Sequence, residues 1–313
     1  MKVCEKFSDL LDYQQPIHWA VGMFDGVHLG HKRVILSADS PGALRGVLTF
    51  RTHPLAFLNP AHAPLLITPH PQLKYQLFEK LGVDVVLELV FTPELAALSP
   101  TQFLDTLCQH CKVAGISVGA NWRFGKGGSG NADFLQHEAQ KRGFRAVVSD
   151  MLVNGNSTVC SSLIRSLLKE GKMKCAASML GRPYSIYGPV EHGQHLARKL
   201  GFPTANITPS QHSALPKAGV YFVSTQMMSE TYYGIANVGT RPSIDESAKI
   251  PRLEAHFPHW HRGDFYGQQL EIFLHDFIRP EIKFDSLQQL QYQIQQDLES
   301  IKKRIDTGLT LMV

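Results

Sequence analysis

Two histidines three residues apart form the clearest chemical motif in the sequence. The segment from Gly22 to His31 reads GMFDGVHLGH and lies between an apolar run and a helical pattern. A helix N-terminus offers unpaired backbone N–H groups and a partial positive charge to an anion. His28 and His31 would add imidazole donors to the first turn and stabilise charge that develops on a phosphate during transfer. The alternative is a strand-to-helix turn with two incidental histidines.

Two further segments carry polar groups suited to a nucleotide. Gly119–Gly125 reads GANWRFG after an apolar run, and Cys160–Arg165 reads CSSLIR at the start of a helical pattern. Hydroxyls and an arginine at a helix start can hold phosphate oxygens. The simpler interpretation of the second segment is an N-cap beside an exposed arginine. The glycine-rich segment by itself matches no phosphate-binding motif.

In the C-terminal half, a hydroxyl and an amide stand two residues apart. Leu200–Asn206 reads LGFPTAN, and Pro203 biases the residue before it towards extended geometry. In an extended segment Thr204 and Asn206 point to the same face. Hydroxyl and amide oxygens are ligands that suit Mg²⁺. An ordinary proline-containing turn is the alternative interpretation.

Strand-like and helix-like patterns alternate over the first 180 residues. The predicted strands are His18–Phe24, Gly46–Phe50, Val83–Val90, Gly115–Ala120 and Arg145–Val153. One helix is predicted in the stretch after His31, and three more are predicted at Gln72–Leu81, Thr101–Cys111 and Ala132–Arg142. Such alternation predicts a doubly wound parallel sheet with helices on both faces. Because ligands bind at the carboxyl ends of parallel strands, the segments that follow strands carry the most weight.

The pattern changes near Gly181. Before it, Ser161–Leu168 and Met173–Leu180 are predicted as two short helices. After it come short predicted strands at Tyr184–Glu191, Gly219–Thr225, Tyr232–Val238, Arg252–Phe257 and Gln269–Asp276. The tail from Asp285 to Arg304 is predicted as a helix that Asp285 or Ser286 would cap. Its apolar stripe is expected to pack as core and consists of Leu287, Leu290, Ile294, Leu298 and Ile301. We therefore predict an α/β domain over residues 1–180 and a small β-barrel with a terminal helix over 181–313.

Composition and charge exclude several classes of protein. The 313 residues are 43% hydrophobic and 19% charged, which excludes a disordered chain. The net charge of +4 is spread thinly over the first half, so no nucleic-acid partner is expected. Five cysteines, an odd number, favour a reducing compartment over a disulfide scaffold. Without a signal-peptide pattern or a long apolar run, we expect a cytoplasmic protein with no membrane partner.

Taken together, the motifs resemble one family. The HxGH signature, the GxNxxFG loop and the Ser-Ser-x-Ile-Arg helix look like the adenylyltransferase half of the bacterial bifunctional riboflavin kinase/FAD synthetases. The PTAN segment, Asn237–Pro242, Leu253–His256 and Phe284–Ser286 resemble the riboflavin kinase half in the same chain order. The resemblance covers residues from about 15 to about 300. It implies a nucleotidylyltransferase domain followed by a riboflavin kinase domain.

The resemblance also implies substrates and roles. Riboflavin would be phosphorylated by ATP to FMN, and FMN adenylylated by a second ATP to FAD and pyrophosphate, with Mg²⁺ as cofactor. His28 and His31 would stabilise the reacting phosphates, Glu254 would be the general base of the kinase, and Thr204 and Asn206 would bind Mg²⁺. The implied nucleotide-binding residues are Gly22, Phe24, Asp25, Gly30, Asn121, Ser161, Ser162, Arg165 and Arg198.

Two departures from the family pattern keep other hypotheses open. The family's usual Asp-Pro before His-Pro reads Arg51-Thr52 here, and Ala197 replaces a common glycine before Arg198. One alternative is therefore an enzyme with a single working site. Another is a non-catalytic regulator that binds flavin or nucleotide. The sequence predicts no oligomeric state.

Overall fold

The computed structural model describes residues 1–191, 204–242, 249–260 and 266–306. The chain divides into two compact units, Met1–Ser161 and Ser162–Val313. The predicted domain boundary lies later, at residue 180, and the assignment of residues 162–180 to either functional domain stays a prediction. Within the described ranges, no helix is long and apolar enough to cross a bilayer.

A six-stranded parallel sheet forms the centre of the first unit. Its strands are β1 (Lys2–Cys4), β2 (Ile17–Val21), β3 (Leu44–Phe50), β4 (Val85–Leu89), β5 (Val113–Gly119) and β6 (Arg145–Ser149). The predicted parallel sheet is thus confirmed, with two differences. Strand β1 was not predicted, because three residues are too few to show a pattern. The last strand ends at Ser149, since Val153 belongs to a short hairpin of β7 (Val153–Asn154) and β8 (Ser157–Thr158).

The strand order β1-β4-β3-β2-β5-β6 explains where the first unit can bind a ligand. From β2 the chain proceeds to β3 and β4 on one side, whereas β5 and β6 lie on the other side. The order therefore reverses between β2 and β5, and a crevice opens at the carboxyl ends of these two strands. The segments that begin at Gly22 and at Ala120 leave the sheet at this point.

Helices connect the strands of this sheet. They are α1 (Leu29–Ser37), α2 (Pro54–Leu58), α3 (Pro71–Glu79), α4 (Pro93–Ala97), α5 (Pro100–His110) and α6 (Ala132–Arg142). Local sequence determines several of their ends. The Ser99 hydroxyl accepts from the backbone N–H of Gln102, whose side chain accepts in return from Ser99, so α5 begins with a capping box. Helix α6 ends at Gly143, whose φ of 73° favours glycine.

A fully buried histidine in β2 makes the stability of the first unit depend on pH. His18 Nδ1 lies 2.8 Å from the Ser40 hydroxyl and Nε2 lies 3.0 Å from the Ser117 hydroxyl. Burial, assisted by the charge of Arg145, lowers the pKa of His18 to about 4. The histidine pKa in the unfolded chain is near 6.5, so between pH 6.5 and 4 His18 binds a proton in the unfolded chain but not in the folded unit.

We expect the free energy of unfolding of the first unit to fall by up to about 3 kcal/mol from this group as the pH drops from 6.5 to 4. Above pH 6.5 the histidine is neutral in both states and its contribution is constant. Urea unfolding followed by the fluorescence of Trp19 measures the effect. His18→Gln isolates it from the titration of carboxyl groups: an equal pH dependence in the variant would refute the assignment.

The second unit begins with two helices and continues as an antiparallel sheet. The helices are α7 (Ser161–Lys169), whose first residue belongs to the first unit, and α8 (Met173–Leu180). The strands are β9 (Tyr184–Pro189), β10 (Thr204–Ile207), β11 (Gly219–Met227), β12 (Glu230–Pro242), β13 (Lys249–His256) and β14 (Gln269–Arg279). Their order is β10-β13-β12-β11-β14-β9. The N–H of Glu191 donates to the carbonyl of Asn206, and this bridge joins the two edge strands, as the predicted barrel requires.

The terminal helix α9 (Leu287–Asp306) follows the barrel. The Ser286 hydroxyl accepts from the N–H of Gln289 at 3.2 Å, so the predicted cap at Ser286 is confirmed. Near its C-terminus, Ile301 packs against Val220 and Phe222 of the barrel. At its start, Leu287 is 50% exposed, so the prediction that the whole apolar stripe packs as core is wrong there.

Candidate active sites

The loop between β2 and α1 brings the two histidines to the crevice of the first unit. Three of its residues have left-handed backbone geometry: Phe24 (φ 50°), Gly26 (φ 84°) and Val27 (φ 40°). Such geometry costs free energy at residues with a side chain and is maintained only by surrounding contacts. Here both side chains are buried in the core, so packing holds the loop in its sharp turn.

His28 is the N-cap of α1, and the ring of His31 stacks against the ring of His28. The N–H of His31 donates to Nδ1 of His28 at 3.2 Å. The two rings stack with centroids 3.5 Å apart and an angle of 17° between their planes. Because Nδ1 of His28 accepts a hydrogen bond, its ring proton lies on Nε2. The N-cap contact therefore determines which ring nitrogen of His28 is the donor.

His31 is held as a neutral imidazole. Burial, followed by the electrostatic interactions with His28 and Lys74, lowers its pKa well below the usual value. The edge of Phe24 contacts its ring at 5.4 Å between centroids. In the part of the chain that the structure describes, Nδ1 of His31 is buried without a hydrogen-bond partner. A neutral ring beside a second imidazole can donate to a phosphate without the repulsion of a paired cation.

A polar cavity of about 180 Å³ opens beside these rings. Five of the predicted site residues line it together: His28, Gly30, His31, Asn121 and Ser161. Gly30 packs closely against His28, since a Cβ there would lie 3.2 Å from Cε1 of that ring. The segment from Ser149 to Leu152 also lines the cavity and was not predicted. Its position directly after β6, at the carboxyl edge of the sheet, is the signal that could have identified it.

The remaining residues predicted to bind nucleotide in the first unit support the loop. The Asp25 carboxylate accepts from the backbone N–H groups of Ile67 (2.8 Å) and Thr68 (3.1 Å). Its backbone carbonyl accepts from the Ser161 hydroxyl at 2.9 Å. A Cβ at Gly22 would lie 3.1 Å from the ring of Phe24. These contacts position the loop, and direct contact of Gly22, Phe24 or Asp25 with a nucleotide stays a prediction.

Three of the residues predicted to bind nucleotide, Ser162, Arg165 and Arg198, are not among the described residues that line either cavity. Ser162 and Arg165 lie on the first turn and a half of α7, within the second unit. Their approach to the nucleotide stays a prediction. Arg198, with the neighbouring Ala197 substitution, lies outside the described residues. The other departure, Arg51, pairs with Glu5 and, at 3.4 Å, with Glu88, so it has a structural partner in this fold.

Lys74 is a buried cation that the sequence analysis missed, because a lysine in an amphipathic helix is usually solvated. Its Nζ donates to the Thr49 hydroxyl at 2.9 Å, and that hydroxyl donates to the carbonyl of Met23 at 3.1 Å. Lys74 is therefore connected to the loop between β2 and α1 through the Thr49 hydroxyl. Burial lowers the pKa of Lys74 to about 8, so its ammonium remains mainly charged at pH 7.

Lys74→Met is expected to raise the pKa of His31, because a positive charge that opposes protonation of the ring is removed. The pKa should stay below the usual histidine value, since burial is the larger cause. NMR titration of the imidazole resonances measures the change. Lys80→Met, an exposed position just beyond α3, is the matched control and should leave His31 unaffected. A His31 pKa that is equal or lower in the Lys74 variant would contradict the prediction.

The second unit has a larger cavity, of about 290 Å³, between the barrel and α9. Thr204 and Glu254, predicted as metal ligand and general base, both line it. The wall has a polar part formed with Asn237, His256, Arg279, Glu281 and Asp297. The other part is apolar and is formed by Val220, Ile235, Ile282, Phe284, Leu290 and Ile294. Leu290 and Ile294 thus line a cavity, and Ile294 also packs against the core cluster that contains Ile301, so the prediction of core packing is confirmed for Ile294.

Strand register aligns the predicted kinase residues. Glu254 of β13 pairs with Asn206 of β10 on one side and with Asn237 of β12 on the other. Directly paired residues point to the same face of a sheet, so the three side chains form one polar row. Asn237 Nδ2 donates to Glu281 at 2.9 Å, while its Oδ1 is buried with no partner in the described structure. A ligand with an O–H or N–H group could satisfy this oxygen.

Arg252 enters this row from the same strand as Glu254. Its Nε lies 2.9 Å from Glu254 Oε1. Nε and Nη2 also donate to Asn206 Oδ1, at 3.1 and 2.5 Å. The predicted metal ligand Asn206 and the predicted base Glu254 are therefore close together, with a guanidinium between them. Sequence inspection gave no reason to single out this arginine, because its two contacts depend on the register of β10 against β13.

Comparison with known proteins agrees with both halves of the chain. A family model described as FAD synthetase matches residues 11–163, and one described as riboflavin kinase matches residues 180–305. The bifunctional riboflavin kinase/FMN adenylyltransferase of Listeria monocytogenes is 33% identical over 89% of this chain and 89% of its own length. That of Buchnera aphidicola is 34% identical over 91% and 92%.

A solved structure supports the fold. The crystal structure of a protein from Streptococcus pneumoniae described as a macrolide-efflux protein superposes with a TM-score of 0.83 at 26% identity, covering 95% of this chain and 97% of its own. The evidence for the two enzymatic activities comes from the sequence relatives and the two family models. The chain belongs to the family of bifunctional riboflavin kinase/FMN adenylyltransferases.

Proposed function

We propose that the second unit converts riboflavin and ATP to FMN and ADP, and that the first unit converts FMN and ATP to FAD and pyrophosphate. The observation that carries this proposal is the presence of two separate cavities, one lined by His28 and His31 and the other by Thr204 and Glu254. Membership of the bifunctional family supplies the two activities. The roles of individual residues are the part that we propose here.

In the kinase reaction, the terminal ribityl hydroxyl of riboflavin attacks the γ-phosphorus of ATP. The O–P bond forms as the bond to ADP breaks, and Glu254 accepts the hydroxyl proton. The cavity supports this role because it pairs an apolar wall for a flavin ring with a polar row that holds the carboxylate. The buried Oδ1 of Asn237 is available to accept from a ribityl hydroxyl.

The polar row also suits Mg²⁺, which would neutralise charge on the ATP phosphates. Thr204 and Asn206 would hold it through their hydroxyl and amide oxygens, the hard ligands that this ion prefers. The oxygens of Asn206 and Glu254 already face one cation, the guanidinium of Arg252, which supports a site built for positive charge.

In the adenylyl transfer, a phosphate oxygen of FMN attacks the α-phosphorus of ATP and pyrophosphate leaves. No covalent enzyme intermediate is formed. His28 donates through Nε2–H to the phosphoryl oxygens as charge develops on them, and the N-terminus of α1 adds its backbone N–H groups. His31 maintains the tautomer of His28 through its backbone N–H and stacks on the ring. The position of Asn121 and Ser161 on the cavity wall supports a role for both in holding the nucleotide.

The remaining assignments concern the setting of the enzyme. The proposed partners are the small molecules riboflavin, FMN and ATP, with no nucleic acid and no membrane. We propose the cytoplasm as its location, where ATP is available to both reactions.

Incubation of the protein with riboflavin, ATP and Mg²⁺, followed by chromatography of the flavins over time, tests the proposal. We expect FMN to appear first and FAD to follow. If FMN forms but FAD does not, even when FMN is supplied directly, the protein has only the kinase activity. FAD from supplied FMN, without FMN from riboflavin, would leave only the adenylyltransferase. Absence of any new flavin would overturn the proposal in favour of a flavin- or nucleotide-binding protein.

A further inference from the structure

Arg252 contacts Glu254, a residue of the cavity wall, and the proposed reaction does not use this arginine. Its side chain is 13% exposed, and Asn206, one of its partners, is 5% exposed. Glu254, the other partner, is 36% exposed, so the contact joins a buried amide to a half-exposed carboxylate. Hydrogen bonds from a guanidinium to an amide and a carboxylate are charge-assisted, so they are stronger than neutral ones.

The guanidinium and a divalent cation compete for one atom. Asn206 Oδ1 accepts two N–H groups of Arg252, with Nη2 at 2.5 Å. A Mg²⁺ ion on the same oxygen would lie about 2.1 Å away and would require near-octahedral space around it. Two cations at such separations repel each other strongly inside a protein. Binding of a cation at Asn206 therefore requires Arg252 to leave this oxygen.

The same displacement affects the base. Arg252 Nε lies 2.9 Å from Glu254 Oε1, so one arginine holds both the predicted metal ligand and the predicted proton acceptor. Departure of Arg252 would thus open the predicted metal site and release the Glu254 carboxylate in a single movement.

We propose that Arg252 is an internal competitor of the divalent cation, which keeps the kinase site closed until a metal–nucleotide complex displaces it. Arg252 is a positioning residue in this scheme. It sets the metal concentration at which the kinase site forms and prevents the site from binding free cations. The inference rests on the proposed function of the second unit for its biological meaning, but its first test does not require activity.

The test is Mn²⁺ binding to the full chain without nucleotide, followed by electron paramagnetic resonance of the free ion. Arg252→Gln retains a polar side chain and removes the charge, and we expect it to bind Mn²⁺ about tenfold more tightly than the wild type. Adding Asn206→Leu to this variant should abolish the gain. Lys174→Gln, which removes an exposed cation that pairs with Asp276 at 3.3 Å, is the charge-matched control and should behave as the wild type. Equal or weaker Mn²⁺ binding by Arg252→Gln would overturn the proposal.

A kinetic measurement gives the second readout. The Mg²⁺ concentration that half-saturates riboflavin phosphorylation should fall about tenfold in Arg252→Gln, while adenylylation of supplied FMN should keep its wild-type metal dependence. An unchanged half-saturating concentration would refute the competition. If no FMN forms even in the wild type, but Arg252→Gln binds Mn²⁺ more tightly, the proposed function fails while the inference holds.

The wild type itself provides a test in case the glutamine variant does not fold. The Nε–H resonance of Arg252 reports its hydrogen bonds in an NMR spectrum. Addition of Mg²⁺ with ADP should shift this resonance as the contacts to Asn206 and Glu254 are lost, whereas ADP alone should have a smaller effect. A resonance that does not move with Mg²⁺ and ADP would contradict displacement.

Discussion

His28→Ala is expected to abolish FAD formation while FMN formation from riboflavin continues. The alanine removes the Nε2–H donor and also the N-cap acceptor of His31 N–H. Loss of one preorganised donor to a developing charge typically lowers kcat by two to three orders of magnitude. Because the N-cap is lost as well, we expect an effect at the upper end of this range.

The two half-reactions should be measured separately, with FMN and ATP for adenylyl transfer and with riboflavin and ATP for the kinase. His62→Ala is the matched control: this histidine is exposed and contacts Asn59 at 3.0 Å, outside the cavity. The kinase rate of His28→Ala serves as the internal control for folding of the second unit. If His28→Ala formed FAD at the wild-type rate, the prediction that the histidine pair is catalytic would be wrong.

Glu254→Gln is expected to have the opposite pattern. FMN formation should fall by two to four orders of magnitude, the usual contribution of a general base, whereas FAD formation from supplied FMN should be unchanged. Glutamine has nearly the same size as glutamate, so the cavity wall is preserved. It cannot accept the proton of the ribityl hydroxyl as a carboxylate does.

Loss of the pair with Arg252 is the structural side effect to be checked. The thermal unfolding of Glu254→Gln should therefore be compared with that of Glu299→Gln, an exposed position on α9 that should be active in both half-reactions. If Glu254→Gln retained wild-type FMN formation, another group would have to be the base. If both His28→Ala and Glu254→Gln lost both activities without unfolding, the assignment of one reaction to each unit would be wrong.

The order and type of most elements could be predicted because their patterns are local. Ala132–Arg142 was predicted with its observed ends, since Asn131 caps its start and Gly143 ends it. The alternation of apolar runs with helical patterns required a parallel sheet, because strands that are buried on both faces need helices to cover them. Strand β10 was less visible, since four residues beside a proline resemble a turn as much as a strand.

The residue types of both sites were likewise evident from the sequence. HxGH at the start of a helix and PTAN carry their chemistry in their side chains, wherever the chain places them, whereas Glu254 was identified only through the resemblance to a known family. Their grouping into two active sites came from the resemblance to a known family, which spans nearly the whole chain. Periodicity and spacing alone left each motif with an ordinary structural alternative.

Tertiary structure decided which groups meet, and the reason is that contacts across a sheet depend on register. The row of Asn206, Glu254 and Asn237 exists because β10, β13 and β12 pair in one alignment, and a shift of one residue would turn Glu254 to the other face. The burial of Lys74 and the contacts of Arg252 depend equally on residues distant in sequence. The sequence by itself determined the elements, the residue types and, through its resemblance, the family. Only the folded chain determined that an arginine lies between the predicted metal ligand and the predicted base.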